Sequence, residues 1–198
     1  MIARRSMAYG AVALFLYLNA LVWREPLTAL MSTHMLVQIP LLFLAGVLAE
    51  QAWHAGRKAS GGIPVRRPVW SYNEYGMPGL LLVSLIGGFW MVPKALDDAL
   101  VDWRMALFKV IGLPVAGWIL QASLRRSNTV LKVFFLGNFC WMSAIVGMVY
   151  QDQPARLCNA YLQDDQVWAG GGLIALAIVL PALYLLISIK PVWRFLNH

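Results

Sequence analysis

The chain has 198 residues, of which 60% are hydrophobic and only 13% are charged; its net charge is +7 and its mean hydropathy is +0.65. A soluble domain of this length has about a quarter of its residues charged, so the composition excludes a water-soluble globular fold. The basic residues lie beside apolar segments and form no continuous stripe, which argues against a nucleic-acid partner.

Six apolar stretches follow one another along the chain, over residues 7–23, 31–53, 77–92, 105–122, 131–150 and 168–189. A helix needs roughly 20 apolar residues to cross about 30 Å of hydrocarbon. Backbone groups must be paired inside hydrocarbon, and alternating strands of about ten residues are absent, so each stretch is predicted to be helical. The sequence therefore predicts an all-α, polytopic membrane bundle of six transmembrane helices, surrounded by membrane lipids and forming a single domain over residues 1–198.

The charged residues are divided between the two sides of the predicted membrane. The connections on one side contain Arg4, Arg5, Arg57, Lys58, Arg66, Arg67, Arg125, Arg126, Lys132, Lys190 and Arg194, and those on the other contain Glu25, Asp97, Asp98, Asp102, Asp152, Asp164 and Asp165. Short loops rich in Lys and Arg stay in the cytoplasm. Both termini are therefore predicted to be cytoplasmic.

The outer end of the second predicted helix carries the best candidate ligand set. Met31, His34, Met35 and Gln38 are spaced i, i+3, i+4 and i+7, so they project from one helical face. Thioether and imidazole donors suit Cu(I). His34, Met31 and Met35 are therefore candidate copper ligands, while core packing of His34 and of the flexible methionines stays an open alternative.

Two ionisable residues are predicted inside the spans. Lys109 lies about one turn from the outer surface, where we expect its ammonium to snorkel to water or to pair with Asp102 or Asp165. Glu50 lies near the inner end of its helix, within reach of basic residues. These residues form no chain across the bilayer, which argues against a coupled transporter.

Motifs of nucleotide, metallohydrolase, redox and serine-hydrolase chemistry are absent: the sequence has no Walker loop, GxGxxG, HExxH, CxxC or GxSxG. Paired carboxylates of the catalytic type are also absent. We therefore expect no catalytic residues and no enzymatic activity.

Three short stretches resemble the CtaG family of cytochrome c oxidase assembly factors, the multi-span type associated with caa3 oxidases. Residues 34–42 (HMLVQIPLL) are similar to that family's His-Met-rich helix start, and residues 164–170 (DDQVWAG) to its Asp-Gln…Ala-Gly entry to a later helix. Between them, residues 89–93 (FWMVP) and 95–100 (ALDDAL) resemble a Trp-x-x-Pro…Asp-x-Ala-Leu element. The stretches follow the family's order.

The resemblance implies a multi-pass protein of the bacterial inner membrane that assists the assembly or copper maturation of a respiratory oxidase. His34, Met31 and Met35 would then hold Cu(I) transiently at the periplasmic face, and the partners would be subunits of the oxidase. Gln38 stands where the family has a second histidine. This departure keeps a second function open, that of a non-catalytic scaffold subunit in a membrane respiratory oxidoreductase.

Overall fold

A computed structural model describes residues 2–59 and 73–196, and every regular element in these ranges is helical. The elements are α1 (Ile2–Val22), α2 (Arg24–Ala29), α3 (Met31–Thr33), a π-helical segment (His34–Gln38), α4 (Ile39–Ala59), α5 (Met77–Trp90), α6 (Pro93–Val101), α7 (Trp103–Leu124), α8 (Thr129–Asp152) and α9 (Gln163–Leu196). The predicted all-α fold is confirmed. Arg66 and Arg67 of the basic connection lie outside the described residues.

Five helical runs in the described ranges are long and apolar enough to cross a membrane: Ala3–Val22, Met31–Ala59, Trp103–Leu124, Thr129–Asp152 and Gln163–Ser188. The pair α5 and α6 makes a sixth if it is counted as one span, although the two helices are bent by 76° at their junction. The chain is therefore a multi-pass helical membrane protein, with five spans or six.

The bend after α5 explains why the third predicted span differs from the others. Pro93 disfavours helical geometry at the residue before it, and Val92 is accordingly extended, with φ −80° and ψ 126°. The 14 residues of α5 rise about 21 Å, which is less than the full hydrocarbon thickness. Residues 93–101 were predicted to belong to an outer connection, but they form α6, with Leu96 buried against the core.

Neighbouring helices pack in the order α1, α4, α7, α5, α8 and α9, and α9 returns to contact α3 and the π-helical segment. Helices α4 and α7 are parallel, because His34 contacts Lys109 near their starts and Glu50 pairs with Arg125 near their ends, at 3.0 Å. The end of the bundle where α1 begins and α4 and α7 end is called the inner end below. The opposite end, which holds α2 and α6, is called the outer end.

The π-helical segment ends at Gln38, two residues before Pro40. Proline has no N–H, and its ring excludes the carbonyl four residues before it, so a regular α-helical ladder is interrupted there. One turn of the helix is therefore wider than an α-turn: the Ile39 N–H donates to the His34 carbonyl, five residues back. Segments of this kind occur frequently at functional sites. Here the wide turn contains His34 and Gln38, which are both buried.

Glycines allow α4 and α7 to cross in backbone contact. A Cβ added to Gly46 would lie 1.9 Å from the carbonyl oxygen of Pro114, and one added to Gly117 would lie 2.0 Å from that of Phe43. Close helix approach through small residues is a main source of packing energy in membranes, where lipid competes for apolar surface. The crossing therefore has no room for a side chain at either glycine.

The Gly46→Ala change should consequently destabilise the bundle. We expect the free energy of unfolding to fall by about 1–3 kcal/mol, because the methyl group forces the two backbones apart. Unfolding by SDS titration in detergent micelles measures this. Gly137→Ala is the matched control, since its Cβ would meet no atom within 4 Å beyond the local backbone of its own helix. Equal effects of the two changes would contradict the close crossing.

Candidate functional site

Four polar side chains are buried together at the outer end, and we call them the polar cluster: His34, Gln38, Lys109 and Tyr161. Lys109 Nζ lies 2.8 Å from His34 Nε2 and donates to Gln38 Oε1 at 2.9 Å. His34 Nδ1 lies 2.6 Å from the Tyr161 hydroxyl, and Gln38 Nε2 donates to the Ala20 carbonyl at 3.1 Å. The cluster thus joins α1, the π-helical segment, α7 and the connection before α9.

Lys109 is held by neutral partners. It is 3% exposed, and the described ranges place no carboxylate within ion-pair distance of its Nζ. The expected snorkelling of Lys109 and its pairing with Asp102 or Asp165 are therefore wrong. Asp102 instead accepts from the backbone N–H of Arg104 at 2.9 Å and caps α7. Hydrogen bonds to two acceptors offset part of the cost of burying an ammonium group.

Two hydrogen-bond arrangements satisfy the His34 ring. In the first, the Lys109 ammonium donates to Nε2 and the Nδ1–H donates to the Tyr161 oxygen. In the second, the Tyr161 hydroxyl donates to Nδ1 and the Nε2–H donates to an uncharged Lys109 amine. The tautomer of His34 follows from its partners in each case. Both ring nitrogens are engaged in either arrangement.

The predicted metal ligands are brought to one region of the structure. Met31 and Met35 are buried in the apolar cluster that also contains Met91 and Cys158. However, a copper ion needs a lone pair of His34, and the two ring nitrogens are bonded to Tyr161 and Lys109. Across the described residues, no three side chains of the His, Cys, Asp and Glu types are grouped to hold a metal. Copper binding stays a prediction.

Asp165 joins the start of α9 to the start of α3. Its carboxylate accepts hydrogen bonds from the backbone N–H of Met31, from the Ser32 N–H at 3.3 Å and from the Ser32 hydroxyl at 2.5 Å. The first N–H groups of a helix have no partner within the helix, and negative charge is favoured there. This explains why a carboxylate that is 8% exposed is retained at the outer end.

The connection between α8 and α9 is folded onto the bundle by its neighbours. Asp97 accepts from the Asn159 N–H at 2.7 Å, and Gln166 accepts from the Leu157 N–H at 2.8 Å while donating to the Tyr150 carbonyl at 3.0 Å. This arrangement positions Tyr161 over His34. Burial, followed by the neighbouring Cys158 and Asp97, raises the pKa of Tyr161 above its ordinary value, so the phenol stays protonated.

Tyr161 is the member of the polar cluster that the sequence analysis missed. It lies 127 residues from His34 in the chain, in an irregular segment without helical periodicity. No pattern in the sequence connects it to His34.

Comparison of the chain with family models, with curated proteins and with solved structures gave no match. The resemblance to the CtaG family therefore rests on the three short stretches alone and stays a prediction.

The Asp165→Asn change tests the link between α3 and α9. We expect the free energy of unfolding to fall by about 1–3 kcal/mol, because the amide carries no charge and offers one acceptor oxygen in place of two. Asp164→Asn is the matched control, since Asp164 is the exposed neighbour. Both variants are unfolded in detergent in parallel. An equal loss of stability in the two would contradict the role of Asp165 in linking α3 to α9.

Cys158 is expected to be an inert thiol. Burial, followed by the charge of Asp97 and a hydrogen bond with it, raises the pKa of Cys158 from 9.0 to about 12. At pH 8 this leaves about a thousandfold less thiolate than in an ordinary thiol. In a Cys140→Ala background, maleimide should label folded Cys158 at least about a hundredfold more slowly than the SDS-unfolded chain. Equal rates would contradict this prediction.

Proposed function

We propose that the chain is a non-catalytic integral subunit of a membrane oxidoreductase complex in the bacterial inner membrane. The observation that carries this proposal is that both ring nitrogens of His34 are hydrogen-bonded within the protein, one to Tyr161 and the other to Lys109. A residue that takes up a metal, a substrate or a proton needs a free atom facing an accessible space. His34 is fully buried and has none, which favours a structural role.

The polar residues of the CtaG-like stretches support the same function. Asp97 holds the connection before α9, Asp165 caps α3, and Gln166 bonds to the backbone on both sides of that connection. Each of these side chains is used to build the outer end of the bundle. The motif residues are therefore explained by architecture, and the oxidoreductase setting is inferred from their resemblance to CtaG.

Large apolar side chains remain on the bundle surface for contact with lipid or partner helices. Phe15 on α1, Trp141 on α8 and Leu186 on α9 are each more than 60% exposed. Helix association in membranes depends on van der Waals packing of such faces. A scaffold subunit of this kind would contribute packing surface to the complex and no reacting group.

Copper handling is the second candidate function, and the gathering of sulfur side chains favours it. Met31, Met35, Met91 and Cys158 are buried in the same apolar cluster, and such donors suit Cu(I). In this function Lys109 would compete with the metal for His34 Nε2. The two candidates therefore predict opposite effects of removing the Lys109 ammonium.

Purification of the tagged, natively expressed chain in mild detergent tests the proposal. We expect oxidoreductase subunits at a fixed equimolar ratio, and a copper content that His34→Gln leaves unchanged. A chain recovered free of partners, with about one copper per chain that His34→Gln removes, would overturn the scaffold function in favour of copper handling.

A Cu(I) titration against a colorimetric chelator separates the candidates in the isolated chain. Copper handling predicts tighter binding in Lys109→Met, because a competing cation is removed, and weaker binding in Met35→Leu. Met7→Leu is the matched control, since Met7 is 69% exposed and far from the cluster. The scaffold function predicts no competitive binding in the parent or in any variant.

A further inference from the structure

A groove with a volume of about 1130 Å³ opens between α1, α4 and α7 on the side of the bundle. Its floor consists of small residues, and its rim carries aromatic ones: Gly10, Ala13, Ala49, Ala52, Trp53 and Trp118. The two indole rings, Trp53 and Trp118, lie 6.3 Å apart between centroids. Because the surrounding helices are long enough to span a bilayer, the groove lies at the depth of the hydrocarbon.

The length of the groove fits one leaflet of a membrane. Its α4 wall runs from Ala45 to Arg57, which is about 18 Å at 1.5 Å per residue. Half of a typical hydrocarbon core is about 15 Å, whereas a transmembrane helix needs the full 30 Å or so. The length of the groove therefore matches that of an acyl chain in one leaflet. It is too short to hold a membrane-spanning helix of a partner.

The inner end of the groove is polar, and it lies at the basic end of the bundle. Ser6 and Arg57 line it, and the Ser6 hydroxyl is used within the protein, donating to the Ala52 carbonyl at 2.7 Å. The other described charged residues at this end of the bundle are Arg4, Arg5, Lys58, Arg125, Arg126, Lys132, Glu50 and Glu74, and Glu50 is paired with Arg125. A guanidinium has five N–H donors and binds phosphate oxygens in pairs, so Arg57 can hold a phosphate besides its contacts in the protein.

We propose that this groove binds an anionic phospholipid of the surrounding bilayer. An acyl chain lies along Gly10 and Ala49, and the phosphate binds Arg57 at the inner end. Basic pockets between transmembrane helices on the cytoplasmic side recognise anionic headgroups in this way, and the charge distribution predicts that the inner end is cytoplasmic. The site does not depend on the proposed function, because its residues lie away from the polar cluster.

Competition between two lipids tests the proposal. The full chain is reconstituted in nanodiscs of equal phosphatidylglycerol and phosphatidylcholine, and the lipids that survive release are counted by native mass spectrometry. We expect phosphatidylglycerol to be enriched in the retained lipid. Arg57→Gln should reduce the enrichment about fivefold, which corresponds to about 1 kcal/mol for one basic residue at the surface.

Two matched pairs of variants separate the groove from general surface charge and packing. Lys132→Gln removes one charge at the inner end outside the groove and should leave the enrichment unchanged. Ala49→Leu fills the groove and should abolish retention, whereas Ala182→Leu, on an exposed part of α9, should not. Equal retention of the two lipids would overturn the proposal, and so would equal effects of Arg57→Gln and Lys132→Gln. The proposal would also fail if a crosslinker placed at position 49 captured a protein.

Discussion

Polar groups must find partners inside hydrocarbon, and the architecture of this chain depends on that constraint. Regular helices satisfy the backbone, and the wide turn before Pro40 keeps the ladder bonded where a regular α-turn is interrupted. The side chains obey the same condition. Lys109 bonds to His34 and Gln38, and Glu50 bonds to Arg125, so the two ionisable residues that were predicted inside the spans have partners within the bundle.

These two polar contacts also fix the register of α4 against α7. The pairs His34–Lys109 and Glu50–Arg125 are each separated by 75 residues, so the parallel helices are in the same register at both ends. Gly46 and Gly117 allow backbone contact between them. A buried charged contact is a weak source of net stability, and its best-attested role is to specify one arrangement among alternatives. Apolar packing in lipid distinguishes poorly between registers of two helices. The two polar contacts therefore specify the register of α4 against α7.

The helices could be predicted from the sequence because hydropathy reports directly on burial in lipid. The bend between α5 and α6 was not predicted, although Pro93 provided a local signal for it. The polar cluster was half predicted: the i, i+3, i+4, i+7 pattern placed His34 and Gln38 on one helical face, together with Met31 and Met35. Periodicity within one helix carries no information on which residue of another helix meets that face. Lys109 and Tyr161 are contributed by distant segments, so their contacts with His34 depend on tertiary packing.

The two ends of the bundle differ in what they leave accessible. At the outer end the polar cluster, the Asp165 cap and the folded connection before α9 leave the ring of His34 without exposed surface. At the inner end the small residues of α1 and α4 leave a groove that no described side chain fills, beside several basic residues. If lipid occupies that groove, partner subunits must pack elsewhere, and the exposed apolar face of α9 around Leu186 offers uncharged surface for them. Lipid and protein contacts would then lie on different faces of one bundle.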